Sequence, residues 1–164
     1  MRGKGRDRHR AAPAAPAEGV SFSLHDELPR EEAEAVDRGL GQANESAAPL
    51  HEVRPLACFA RSPDGTVLGG AVGRTWGLCC ELQQLWVVPE HRRQGLGAEL
   101  VRRFEAGARA RGCRTAYLET FNFQAPALYR SLGYEVRLAL HGFPAGTVKY
   151  TMVHVLKDDE PPAA

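Results

Sequence analysis

The sequence predicts an α/β fold from three features. Runs of strand length, alternating or continuous in apolar residues, recur between turn signals. A long amphipathic stretch, Leu96–Ala108, lies between two of these runs, and a short helical stretch, Ala125–Leu132, precedes the last two. Strands and helices that alternate in this way bury their apolar faces as layers around one core.

The chain has 164 residues, 43% of them hydrophobic, which is enough for a single domain with a sizeable core. The expected domain runs from residue 20 to residue 156. Before it, Arg2, Lys4, Arg6, Arg8 and Arg10 lead into an Ala/Pro-rich stretch with nothing apolar enough to offset the entropy of ordering, so 1–19 is read as a disordered tail. After it, 157–164 is a charged tail that ends in prolines and alanines.

Within the domain, Val20, Phe22 and Leu24 alternate with polar residues as a strand would, and Pro29 opens a helix that should end near Gly39. The segment 41–55 is poor in large apolar residues and reads as a loop or weak helix. Two runs, Arg54–Arg61 and Thr66–Arg74, flank the turn Ser62-Pro63-Asp64-Gly65 and predict a hairpin. Leu82–Val88 is richer in large apolar residues and is stopped by Pro89, as expected of a central strand.

In the following helix Leu96, Leu100, Phe104 and Ala108 recur at i+4, with Val101 beside them, up to Gly112. Thr115–Thr120 is a strand. Ala125, Leu128 and Leu132 share one face of a short helix with Pro126 in its first turn and Gly133 at its end. Tyr134–Leu140 and Thr147–Leu156 are the last two strands, joined through the turn His141–Gly146.

Charge and composition exclude several classes of function. A formal net charge of +1 provides no global field for nucleic acid or an anionic membrane. A basic arm that binds nucleic acid would rest on Arg2–Arg10 alone, interrupted by Asp7 and without aromatic residues for stacking. No apolar run approaches the length of a membrane span, and the chain opens without a secretory signal. Cys58, Cys79, Cys80 and Cys113 have no CxxC or Cys/His spacing, so they are read as reduced thiols, which makes the expected location cytoplasmic. His25, His51, His141 and His154 are scattered, and no metal site is expected. Trp76 and Trp86 are read as core, with a place on a pocket wall left open.

Chemistry concentrates at Arg92-Arg93-Gln94-Gly95-Leu96-Gly97-Ala98, where two glycines and several free amides sit at a helix N-terminus. Such a turn suits a pyrophosphate: amides donate, the helix dipole favours negative charge, and missing side chains let the anion approach. A dinucleotide fingerprint would need Gly or Ala where Leu100 stands, and a P-loop would need a Gly-Lys-Ser/Thr ending.

Arg92-x-x-Gly95-x-Gly97 resembles the (Gln/Arg)-x-x-Gly-x-(Gly/Ala) signature of the GNAT N-acetyltransferase superfamily. A second element, Asn122-x-x-Ala125-x-x-Leu128-Tyr129 followed by Leu132-Gly133-Tyr134, is similar to the family's Asn-x-x-Ala-x-x-Leu-Tyr and Leu-Gly-Phe/Tyr segment. The two occur in the family's order and spacing.

The resemblance implies a twisted mixed sheet with helices on both faces, splayed after the central strand. It implies acetyl-coenzyme A as co-substrate and direct transfer of acetyl to an amine. Amides of Arg93–Ala98 would cradle the pyrophosphate, the backbone of Trp86, Val87 and Val88 would pair with the pantetheine arm, and Asn122 would also touch the coenzyme. Val87 or Val88 would offer an amide to the thioester carbonyl.

Tyr129 stands at the family's acid position. A phenol of pKa about 10 can protonate a thiolate whose conjugate acid lies near 8.5. For the base, Glu81 at the start of the central strand is the first choice and Glu119 the second. Three acceptor classes remain open: a small amine, a protein N-terminus and a protein lysine. Glu31, Glu32, Glu34, Glu45 and Glu52 favour a small cationic amine. A coenzyme-binding sensor without turnover is the alternative from another class. The expected state is monomer or homodimer.

Overall fold

The computed structural model describes residues 19–156. The basic run Arg2–Arg10 and the tail Lys157–Ala164 therefore lie outside the described residues. The chain forms two compact units that divide between Ala43 and Asn44, inside the segment read from sequence as one domain.

The first unit contributes most of α1 (Arg30–Ala47), none of whose residues is buried. Glu31 and Glu32 in its first turn complement the helix dipole, and Arg30 donates to Glu34 at 2.8 Å. The helix continues through Gly39 and Gly41. An interior glycine costs only about 1 kcal/mol relative to alanine, too little to stop a helix flanked by good formers. The strand expected over Val20–Leu24 is absent: the segment is irregular, with Phe22 and Leu24 exposed. Alternation supplies a face, but a strand also needs a neighbour for its backbone groups, and no strand of the sheet pairs with this segment.

The second unit holds an open six-stranded sheet in the order β1-β2-β3-β4-β6-β5. Its strands are β1 (Arg54–Arg61), β2 (Val67–Trp76), β3 (Cys79–Val87), β4 (Thr115–Phe121), β5 (Glu135–Leu140) and β6 (Lys149–Val155). Neighbours are antiparallel except β3 and β4, which are parallel and joined through α2 (Leu96–Ala110). The mixed sheet predicted from sequence is thus present. The turn at Ser62 is held by its hydroxyl on Asp64 and by the Thr66 amide donating to Asp64 at 3.1 Å.

α2 packs across β1, β2 and β3, and buries Leu100, Val101, Phe104 and Ala108 against Ala71, Cys80, Leu82, Ala116, Leu118 and Met152. Burial of a Leu or Phe side chain contributes about 1.5–3 kcal/mol, so this layer fixes the sheet on which the site is built.

The sheet opens where the resemblance implied. β3 and β4 pair only from Cys79–Leu82 to Thr115–Leu118, and beyond Leu82 the strands part. Gln83 is an extra residue in β3: Leu82 faces Gly73, Gln84 faces Val72, and Gln83 has no opposite. A methyl group at Gly73 would run into the backbone carbonyl of Glu81, so only glycine lets β2 follow β3 through this bulge.

The bulge also reverses the side-chain phase. Cys80 and Leu82 point into the core before it, whereas Leu85 and Val87 pack on the core after it. Trp86 is consequently turned outward and is 51% exposed, and Trp76 is also largely exposed. The expectation that both tryptophans are core is corrected: the bulge turns Trp86 outward, and Trp76 ends β2 exposed.

Candidate active site

The strand–turn–helix segment after β3 begins with a short turn, Pro89–His91. Arg92 folds back so that its Nε donates to the Val87 carbonyl at 2.9 Å, and Gln94 Nε2 donates to the Glu90 carbonyl at 2.9 Å. These bonds fix the loop without using its amides. Arg93 (φ 57°) and Gly95 (φ 84°) both take the left-handed conformation, which turns the chain into α2. No side chain caps α2, so its first-turn amides, from Leu96 through Ala98, face outward as donors. Gly97 is different: a Cβ there would make only ordinary contact with Leu128 and Val87, so its missing side chain leaves room above the helix end.

The loop forms one end of a cleft of about 900 Å³ between the parted strands. Gln83 through Val87 line one wall, Glu119 and Phe123 the other, and Ala125, Leu128 and Tyr129 from the short helix α3 (Pro126–Ser131) the base. The segment named by the second motif therefore meets the loop named by the first.

Not every residue expected at the coenzyme stands free to bind it. The Val88 amide donates to the Leu68 carbonyl at 2.9 Å. Because amides alternate along a strand, the amides of Leu85 and Val87 are the ones directed away from β2 and into the splay. Of the two carbonyl donors considered from sequence, Val87 is therefore the free one, and Leu85 was overlooked. Asn122 uses both ends of its amide on the β5–β6 loop: Nδ2 donates to the Gly146 carbonyl at 3.1 Å, and its oxygen accepts from the Val148 amide at 3.2 Å.

Tyr129 is buried at 8% exposure, with its ring edge-on to Tyr134 at 5.8 Å. This corrects the expectation that Leu128 fills the core face of α3. Ala125, Tyr129 and Leu132 form that face, and Leu128 lines the cleft beside Gly97. Burial pushes the Tyr129 phenol up to about 12.

The two carboxylates differ. Glu81 accepts from Arg74 Nε at 2.6 Å and from Gln83 Nε2 at 3.3 Å, and it lies outside the cleft lining. Glu119 lines the cleft, half exposed, and pairs with Lys149 at 2.5 Å. Of the acidic residues in α1, Glu34 is paired with Arg30 and Arg38 of its own helix.

One buried cluster has no counterpart in the sequence reading. Glu105, in the core face of α2, is 3% exposed and meets His154 Nδ1 at 3.0 Å and Arg109 at 3.7 Å. Tyr134 packs on the His154 ring at 5.2 Å with its hydroxyl buried and unbonded. Burial first, and then the charge of Glu105, push the Tyr134 phenol well above its ordinary value. The only hint in the sequence is an acid between Phe104 and Ala108, where the helical period still points inward.

Comparison with known proteins agrees with the geometry. The family model "Acetyltransferase (GNAT) family" matches residues 22–134. Blasticidin-S acetyltransferase of Streptomyces morookaense is 36% identical over 112 residues, covering 66% of this chain and 82% of the relative. An acetyltransferase crystal structure from Bacillus cereus superposes with a TM-score of 0.70 at 25% identity, over 82% of this chain and 98% of that one. Nourseothricin acetyltransferase gives a TM-score of 0.55 at 27% identity, over 63% of this chain and 66% of that one. With its two motifs on one cleft and more than half its length matched by the family model, the chain belongs to the GNAT family of acetyltransferases.

Proposed function

We propose that the protein transfers an acetyl group from acetyl-coenzyme A to the primary amine of a small cationic molecule. The observation that carries this reading is one cleft lined both by the loop at the uncapped N-terminus of α2 and by Tyr129. Acetyl-coenzyme A supplies the acetyl group as a thioester. Amides of Arg93, Gln94, Gly95, Leu96, Gly97 and Ala98 bind its pyrophosphate, helped by the charges of Arg92 and Arg93. The edge of β3 at Leu85 and Val87 pairs with the extended arm, and the Val87 amide holds the carbonyl oxygen as charge develops there. Side chains of Trp86 and Val87 line the same wall.

In the transfer the amine nitrogen bonds to the acetyl carbon, the carbon–sulfur bond breaks, the thiolate takes a proton from Tyr129, and the second proton shed by the nitrogen returns to the tyrosinate, directly or through water. A phenol at about 12 is a weak acid for an ordinary thiolate. The transfer is therefore uphill on its own, and the proton shed by the nitrogen drives it by returning to the tyrosinate.

The amine must first lose its own proton. Glu119 supports that role better than Glu81, because it lies on the cleft wall and Glu81 does not; both are paired, with Lys149 and with Arg74. The small-molecule acceptor is supported by the names of two relatives, acetyltransferases of blasticidin-S and of nourseothricin. A thiol-release assay with acetyl-coenzyme A against a panel of small amines, a peptide N-terminus and a lysine peptide tests the reading. Turnover of small amines above both peptides is expected. Coenzyme binding without release from any acceptor would replace the enzyme by a sensor.

A further inference from the structure

The turn that ends α3 ties Tyr129 to Tyr134. The Gly133 amide donates to the Arg130 carbonyl at 3.1 Å, and the Tyr134 amide donates to the Tyr129 carbonyl at 3.0 Å. Gly133 is left-handed, with φ 93°. These two bonds make a Schellman termination, which commonly carries an apolar contact between its two outer residues. Here that contact is aromatic, with the Tyr129 and Tyr134 rings edge-on at 5.8 Å and 67°. Tyr134 therefore holds Tyr129 twice, through its carbonyl and through its ring.

Tyr134 is braced in turn. The ring of His154, on β6, lies 5.2 Å from that of Tyr134, and its Nδ1 meets Glu105 of α2 at 3.0 Å. His154 also fills the space beside Gly133, where a Cβ would come within 2.9 Å of Nε2. The terminating turn is thus packed onto a histidine that α2 and the sheet both hold. The Tyr134 hydroxyl is buried without a hydrogen bond, so the support it gives comes from the ring. Tyr129 lines the cleft, whereas Tyr134, His154 and Glu105 stand behind it.

We infer that Tyr134 is the positioning residue for the general acid, and that the Glu105–His154 pair braces it so that the Tyr129 phenol stays turned toward the departing sulfur. This rests on the acetyl-transfer reading and deepens it. None of the three residues touches the reacting atoms. A reacting group displaced by about 1 Å can lose about 100-fold in rate, so the effect belongs in kcat rather than in binding.

Tyr134→Leu removes the ring and keeps an apolar side chain. In the full-length protein it should lower kcat for thiol release by about 10- to 100-fold, with KM for the amine and Kd for coenzyme A within about 2-fold of the parent. The conservative Tyr134→Phe should restore kcat. The decisive comparison is made in Tyr129→Phe, where no acid is left to position and Tyr134→Leu should cost no further rate. His154→Asn keeps a polar group for Glu105 but takes the ring from beside Tyr134. It should follow the same pattern with a smaller loss of about 3- to 10-fold, and it carries the test if Tyr134→Leu does not fold. Tyrosine labelled with carbon-13 at Cζ adds a readout that needs no acceptor. The Tyr129 resonance, identified by its loss in Tyr129→Phe, should be single in the parent and broadened or divided in Tyr134→Leu and His154→Asn.

Equal losses with and without the Tyr129 hydroxyl would make Tyr134 a structural residue and overturn the inference. So would a folded Tyr134→Leu variant with the parent kcat, or one whose Tyr129 resonance stays single and sharp. Failure of the acetyl-transfer reading looks different: no amine releases thiol from the parent, while the resonance still reports whether Tyr134 holds Tyr129.

Discussion

The loop 92–98 and the wall that carries Glu119 and Phe123 bound the same cleft, yet they are made of different material. The loop presents backbone: amides left free by an uncapped helix, positioned by two left-handed residues and by side chains that bond back to carbonyls. The opposite wall presents side chains: a carboxylate held by Lys149 and a ring supported by two others. A backbone site accepts one kind of group, a phosphate chain, and its sequence is constrained by conformation. A side-chain site can change its ligand by single substitutions. In the proposed transfer the loop serves the donor and the Glu119 carboxylate serves the acceptor.

Tyr129 sits where the two sides meet, and its removal should have the largest effect. Tyr129→Phe keeps the ring and its contact with Tyr134 and removes only the proton. A positioned general acid is worth about 10²–10⁴-fold in rate, so kcat should fall by that factor while coenzyme affinity holds. Stopped-flow or steady-state thiol release against calorimetry of coenzyme A makes the split visible. Turnover within a few-fold of the parent would leave Tyr129 as packing.

The two carboxylates sharpen the contrast on the acceptor side. Glu119→Gln should lower kcat/KM for the amine by about 10- to 100-fold, with the loss largest below the pKa of the amine, where a base is most needed. Glu81→Gln, which breaks the pair with Arg74, should change it by no more than about 2-fold. A reversal of the two effects would restore Glu81 as the base.

On the donor side the effects should fall on coenzyme binding. Gly97→Val adds a branched side chain above the helix end, where the protein leaves space, and should raise the Kd for coenzyme A by about 10-fold without loss of fold. Gly95→Ala acts through conformation instead, because a left-handed residue with a Cβ costs about 1–2 kcal/mol. Thermal unfolding should show that loss even without coenzyme. If Gly97→Val lowers amine affinity instead, the loop is not the coenzyme side.

The same contrast explains what could be read from the sequence. The loop and the short helix were legible because conformation writes itself into residue type: Gly95 and Gly97 at a helix start, Pro89 after a strand, and Asn122 to Tyr129 at a fixed spacing. The acceptor side was not, because it depends on register. The extra residue Gln83 moves the inward phase from Cys80 and Leu82 to Leu85 and Val87, and nothing in Leu82-Gln83-Gln84-Leu85 marks which glutamine is extra. Trp86 was therefore assigned to the wrong face. Glu81 and Glu119 could be told apart only once Arg74 and Lys149 had found them. The buried Glu105–His154 pair joins residues far apart in the chain, and the strand expected at Val20–Leu24 lacked a neighbour that no local pattern could reveal.

The smallest expected effect is an absence, in the pH dependence of the seam. In the proposed transfer Tyr129 works in its neutral form, and burial favours that form by raising its pKa from about 10 to about 12. Raising the pH removes the acid only as it passes the folded-state value, so kcat should show no descending limb due to Tyr129 below about pH 10. The rising limb should reflect deprotonation of the amine and should persist in Tyr129→Phe at a lower plateau. An unburied tyrosine would begin to ionise two units earlier, and its descending limb would be visible within the assay range. A parent profile that falls with an apparent pKa near 10, and a Tyr129→Phe profile that does not, would keep the tyrosine as the acid but place it in water. The base of the cleft would then be open to water, and the phenol would be a stronger acid toward the departing thiolate.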